Sequence, residues 1–161
     1  MNPDLMASIR ALAEILSSRE LRLVTAESCT GGGIASALTD IAGSSGWFEC
    51  GFVTYSNEAK IRYLNVAPST IEQFGAVSEQ TVRAMVAGAV NNSLGDLAVA
   101  VSGIAGPGGG SDDKPVGTVW FAWGNADTQA AECVHFSGDR AAVREQAVIH
   151  GIQGLCRWLS C

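Results

Sequence analysis

LRLVTAESCTGGGIASALTDI, residues 21–41, decides how this chain folds. Leu21 to Thr25 reads as a first strand. Gly31, Gly32 and Gly33 follow closely, and Ile34, Leu38 and Ile41 then recur at helical spacing. Strand, glycine turn, helix is the opening of an α/β unit. Upstream, Leu5, Ile9, Leu12 and Leu16 predict an amphipathic helix. Downstream, Glu49–Ser56 predicts a strand, and Asn57–Leu64 and Pro68–Phe74 predict short helices, the second framed by a first-turn proline and the terminal Gly75. Ser78 suits the cap of a longer helix carrying Val82, Met85, Val86 and Ala89. Leu97–Val101 reads as a strand buried on both faces. Val116–Trp123 and Ala131–Phe136 predict a late strand pair, and Asp139 begins a final helix. The alternation predicts a single three-layer α/β/α domain over residues 1–161. Its sheet should be mixed and mostly parallel, with the late pair antiparallel.

Composition narrows the function. Hydrophobic residues make up 47% of 161, and charged residues only 16%, which suits a compact fold that buries about two-thirds of its unfolded surface. A net charge of −6 argues against nucleic acid or an anionic membrane as partner, because either needs a basic face. No apolar run is long enough to span a bilayer, and the N-terminus lacks the apolar core of a signal peptide. The five cysteines (Cys29, Cys50, Cys133, Cys156 and Cys161) include no CxxC pair. Reduced thiols in the cytoplasm fit better than a disulfide framework or a zinc site.

Three segments carry candidate chemistry. GSSGWFECGFVTYSNEAK, residues 43–60, holds serines, Tyr55 and Lys60, the parts of a nucleophile with its base. The same residues also read as a capped turn, a strand-edge aromatic and a solvated lysine. For Lys60 to act as a base, its amine must fall from the ordinary value of about 10.4 to roughly 7–8. AESCTGG, residues 26–32, lies where a strand hands over to a helix, a favoured ligand position in open α/β sheets. An ordinary capped turn is the other reading, and Cys29 there reads as a small buried thiol. GIAGPGGGSDDKP, residues 103–115, is a glycine-rich loop without the GKS or GKT of a Walker motif. Arg140 and Arg144 stand where cations oppose a helix dipole, so Asp139 or Glu145, or else a bound phosphate, must offset them. Tyr55 and Lys60 are five apart, which departs from the YxxxK of short-chain dehydrogenases.

Together AESCTGG (26–32), GSS (43–45), GFVTYSNEAK (51–60), GAVSE (75–79), SGIAGPGGG (102–110), KPVGTVW (114–120) and GDR (138–140) resemble the C-terminal domain family of CinA, in its stand-alone amidohydrolase form. The resemblance implies hydrolysis of the carboxamide of nicotinamide mononucleotide, within pyridine nucleotide recycling, by a homodimer that needs no cofactor or metal. Carried onto this chain, it makes Ser45 the nucleophile, with Tyr55 and Lys60 placed to activate it. Ser28, Thr30, Gly31, Gly32, Ser102 and Gly103 would form the substrate pocket, and Arg140 would meet the phosphate. Ser102 stands where many relatives have threonine. The alternative is a nucleotide-binding or regulatory module that keeps the pocket without turnover.

Overall fold

A computed structural model describes residues 2–160, so Cys161 lies outside the described residues. The elements follow in the order α1 (Pro3–Ser18), β1 (Leu23–Glu27), α2 (Gly33–Leu38), a 3-10 turn (Ser44–Gly46), β2 (Phe48–Val53), α3 (Asn57–Leu64), α4 (Pro68–Phe74), α5 (Glu79–Asn91), β3 (Leu97–Gly103), β4 (Thr118–Gly124), β5 (Gln129–His135) and α6 (Arg140–Leu159). The first strand starts two residues later than the hydrophobic run suggests. Leu21 still donates its N–H to Leu16 at the end of α1, after Glu20 has taken a left-handed conformation (φ 54°). The strand also runs on through Glu27, a buried carboxylate that a hydrophobic pattern does not register.

The sheet order is β2-β1-β3-β4-β5. β1 pairs in parallel with β2 and β3, while β4 is antiparallel to both β3 and β5. Among the described residues, β4 is thus the one strand that runs against the rest. Side chains alternate between two cores, as a strand requires. Leu23, Val99, Val101, Phe121 and Trp123 pack toward α1, α2 and α6 with Ile34, Leu38, Val143 and Ile152. Val24, Ala26, Ala98, Ala100 and Ala122 pack toward the other face with Leu64, Val82, Met85 and Val86 of α3 and α5. The small alanines on this second face let α5 lie close to the sheet.

Two features of this frame position the strand ends and the helices that cover them. From β1 the chain crosses one face through α2 to β2, then crosses the other face through α3, α4 and α5 to β3. The chain therefore leaves the C-terminal ends of β1 and β3 in opposite directions, the kind of switch point at which open α/β sheets form a crevice. The second feature is Gly88, where α5 meets the end of α3. A Cβ there would sit 1.8 Å from the Leu64 carbonyl oxygen, so only glycine permits that approach. Gly88→Ala is expected to force α3 outward and lower the unfolding free energy by roughly 1–3 kcal/mol, measured by urea denaturation.

Candidate active site

The crevice is where the chemistry-bearing side chains meet. Ser28 follows the last residue of β1, and its N–H still donates to Val101 of β3 (3.0 Å), so strand alternation continues through it. Its side chain shares a face with Val24 and Ala26 and points toward α3. Lys60 lies in α3, whose start is set by the Ser56 side chain capping the Ala59 N–H at 3.0 Å. The Lys60 side chain is turned inward and the residue is only 1% exposed.

Lys60 Nζ stands 2.9 Å from Ser28 Oγ, 2.9 Å from the Thr54 carbonyl oxygen and 3.1 Å from the Tyr55 carbonyl oxygen. Charged, the amine donates to all three. Neutral, it has two N–H donors for the two carbonyls and one lone pair left, which faces the serine. The backbone at Thr54 and Tyr55 thus selects which way a free amine lone pair looks. Burial pushes the Lys60 amine down from 10.5 to about 8, with proximity to Cys29 opposing the shift. No carboxylate among the described residues contacts it. The Cys29 thiol is itself buried and pushed up to about 11. It is a packed thiol, in keeping with its sequence reading.

The loop between β1 and α2 is braced from beneath. The Glu27 carboxylate, fully buried, accepts from Thr30 Oγ1 (2.5 Å) and from the Ile34 and Ala35 N–H groups (2.9 and 3.0 Å). It fills the start of α2, so the sequence's candidate anion site at that helix start is already taken by the protein's own carboxylate. Gly31 and Gly32 adopt φ of 60° and 97°, which a side chain would resist. On the neighbouring strand, Ser102 is buried and shares the face of Ser28, and Gly103 packs so tightly on β4 that a Cβ would lie 2.9 Å from the Thr118 carbonyl.

Ser45 is elsewhere. It precedes β2, is exposed, and its carbonyl accepts from Arg22 just before β1 (3.3 Å). β1 and β2 are parallel, so Ser45 sits at the N-terminal edge of the sheet and Lys60 near the C-terminal edge. A six-residue strand separates them, about 20 Å of chain. The expected Ser45–Tyr55–Lys60 grouping is therefore corrected: Ser28 meets Lys60 and Ser45 does not. Tyr55 contributes its backbone carbonyl to Lys60, while its phenol accepts from Arg140 Nη2 at 3.0 Å. Arg140 also donates to the Gly106 carbonyl (2.8 Å), and Arg144 donates to the Cys29 and Thr30 carbonyls (3.1 and 3.4 Å). These carbonyls, together with Asp139 capping α6, answer the two cations near the helix start.

The sequence marks Ser28 as a pocket candidate but not as the partner of Lys60. The signal was present in the order of elements. Residues that follow two successive parallel strands emerge at one edge, and a residue that precedes the second strand emerges at the other.

The family model for the CinA C-terminal domain matches residues 6–159. The chain belongs to this family. It is 52% identical over 155 residues to the nicotinamide-nucleotide amidohydrolase PncC of Escherichia coli strain K12, covering 94% of this chain and 93% of that one. It is 55% identical over 144 residues to the protein of the same name from Pseudomonas putida, covering 89% and 90%. Among solved structures, the competence/damage-inducible protein CihA of Agrobacterium tumefaciens superposes with a TM-score of 0.94 at 41% identity, covering all of this chain and 98% of that one. This family member therefore shares its whole architecture with that solved relative. No helix among the described residues is long and apolar enough to cross a membrane.

The depressed Lys60 value has a consequence for stability. The unfolded chain holds the lysine proton up to about pH 10.5, whereas the folded chain releases it near 8. Between those values the unfolded state binds more protons, so Lys60 makes stability rise with pH. Urea titrations of wild type and Lys60→Met from pH 7 to 11 should show their difference moving in favour of wild type across that window.

Proposed function

We propose that this chain hydrolyses the carboxamide of nicotinamide mononucleotide to nicotinate mononucleotide and ammonia, with Ser28 as nucleophile and Lys60 as its base. The observation that carries the mechanism is the 2.9 Å contact between Ser28 Oγ and a buried, carboxylate-free amine. The substrate class rests on the relatives named nicotinamide-nucleotide amidohydrolase.

In this mechanism Ser28 Oγ forms a bond to the amide carbon while Lys60 Nζ takes the serine proton. The carbonyl electron pair moves onto oxygen, giving a tetrahedral oxyanion. On collapse Lys60 returns the proton to the amide nitrogen as the carbon–nitrogen bond breaks, and that nitrogen leaves as ammonia. Water then adds to the acyl-serine, with Lys60 again accepting a proton, and nicotinate mononucleotide leaves as Ser28 is restored. The two carbonyls that hold Lys60 keep its third valence on Ser28 throughout. An amine near 8 suits this exchange, because it is partly neutral at physiological pH and its conjugate acid can still protonate the departing amide nitrogen. At the rim, Arg140 supplies the cation for the substrate phosphate, held in place by Gly106 and the Tyr55 phenol. Thr30, Ser102 and the adjoining glycines shape the pocket between them. The homodimer and the cytoplasmic setting belong to the same proposal.

Ammonia release from nicotinamide mononucleotide tests the reading. Ser28→Ala and Lys60→Met should each lower kcat by at least about a thousandfold, whereas Ser45→Ala should stay within about threefold of wild type. Full activity in Ser28→Ala would sink the nucleophile. Tight nucleotide binding by wild type without ammonia would instead favour a non-catalytic module. The rate of wild type should climb with pH through a midpoint near 8 as Lys60 loses its proton; a flat profile across that range would remove Lys60 as base.

Arg140→Ala should raise KM for the nucleotide by tenfold or more while leaving the riboside nearly unchanged, as expected from losing a charge-assisted contact of about 1.5–3 kcal/mol. Equal losses on both substrates would end its assignment to the phosphate.

A further inference from the structure

Arg144 contacts the loop beneath Ser28 without taking part in the proton exchange between Ser28 and Lys60. It reaches from α6, with Nε on the Cys29 carbonyl at 3.1 Å and Nη2 on the Thr30 carbonyl at 3.4 Å. Gly31 follows with φ 60°, and a Cβ there would lie 3.2 Å from Nη2, so the loop is pressed against the guanidinium. The Cys29 carbonyl and the Thr30 N–H belong to one peptide plane and point in opposite directions. Arg144 approaches from the face that α6 shares with α1 and α2, and Lys60 approaches Ser28 from the α3–α5 face. With its carbonyl held toward Arg144, this peptide turns the Thr30 N–H away from α6, toward the side where Ser28 Oγ meets Lys60.

That N–H has no acceptor among the described residues, although Thr30 is only 2% exposed. Along the loop the Gly31 N–H donates to Ser28, the Gly33 N–H to Thr30, and the Ile34 and Ala35 N–H groups to Glu27, while the Cys29 and Gly32 N–H groups, like that of Thr30, have no acceptor among the described residues; Thr30 is the one whose peptide carbonyl Arg144 Nε holds. An unpaired donor on a buried residue costs free energy comparable to a lost hydrogen bond, and folded proteins rarely keep one without use.

We infer that Arg144 is a positioning residue for the oxyanion: it fixes the Cys29–Thr30 peptide so that the Thr30 N–H receives the negative oxygen formed when Ser28 adds to the carboxamide. This rests on the serine-nucleophile reading and adds to it. As the Oγ–carbon bond forms, the carbonyl π pair becomes the oxygen lone pair that Thr30 binds, while the serine proton goes to Lys60. Arg144 touches neither substrate nor reacting atoms. Its positive charge on the far oxygen of the same peptide also polarises the N–H, making it a better donor. A donor held in place before reaction needs no reorganisation when charge develops.

Kinetics and a tetrahedral probe test this together. Arg144→Ala should lower kcat on nicotinamide mononucleotide by about 10–100-fold, less than the roughly 10²–10³ lost when an oxyanion donor is removed outright. KM should change by less than about threefold, and the pH midpoint near 8 should persist because Lys60 is untouched. Added guanidinium ion should restore part of the rate to Arg144→Ala, and Arg144→Lys should retain more than Arg144→Ala. Unchanged kcat, or a loss confined to KM and indifferent to guanidinium, would overturn the inference. For the second arm, 3-pyridylboronic acid places a boron where the amide carbon sits and becomes tetrahedral on a reactive serine. In wild type its binding should move the Thr30 amide proton resonance downfield, and in Arg144→Ala that shift should shrink or vanish. A boronate bound to Ser28 with Thr30 unmoved would reject this inference alone and leave the nucleophile standing. Failure of the boronate to bind, together with full ammonia release by Ser28→Ala, would strike the nucleophile first and this inference with it.

Discussion

Everything at the crevice depends on keeping one lysine amine out of water. An ammonium taken from solvent into a protein interior is costly unless opposite charge or several acceptors meet it. Here the acceptors are two carbonyl oxygens and one hydroxyl, with no carboxylate among the described residues. That set tolerates the charged form without locking it in. A carboxylate at the same distance would have held the proton firmly and removed the amine from service near neutral pH. The choice of neutral acceptors is thus what leaves the Lys60 amine below its ordinary value and within hydrogen-bond distance of Ser28.

The fold supplies that environment by combining two features. Parallel β1 and β2 bring Ser28 and the β2–α3 turn to the same edge of the sheet, so a hydroxyl and an amine distant in sequence become neighbours. Gly88 then lets α5 close down on the end of α3, the helix that carries Lys60. On the opposite face the loop is held by charged groups. Glu27 takes the start of α2, and Arg144 takes two carbonyls between Ser28 and that helix. The loop is therefore clamped on one side and left with open valences on the other, an asymmetry that a static binding turn does not need.

Much of the architecture was legible in the linear text. α4 falls on the residues that the proline and glycine signals mark, because Pro68 and Gly75 act within one turn of their own position. Strand ends were less so. Glu27 extends β1 against its polarity because three donors from the next turn and helix satisfy its carboxylate, and those donors come into register only when the chain folds. Of the candidate side chains, Lys60, Ser28, Thr30, Ser102 and Arg140 were all marked in the sequence, but the hydroxyl expected beside Lys60 was that of Ser45, close in sequence and a strand length away in space.

What the sequence determined by itself is local. Periodicity, caps and glycine turns depend on neighbours a few residues apart, so the elements, the layering and the motifs of the CinA C-terminal family could be read along the chain. Only the tertiary structure decided which hydroxyl Lys60 meets, how deeply its amine is buried, and that Tyr55 gives it a carbonyl while its phenol goes to Arg140. Those outcomes depend on which strand ends share an edge and on the water excluded when two helices close over one of them, and neither is a property of any short segment.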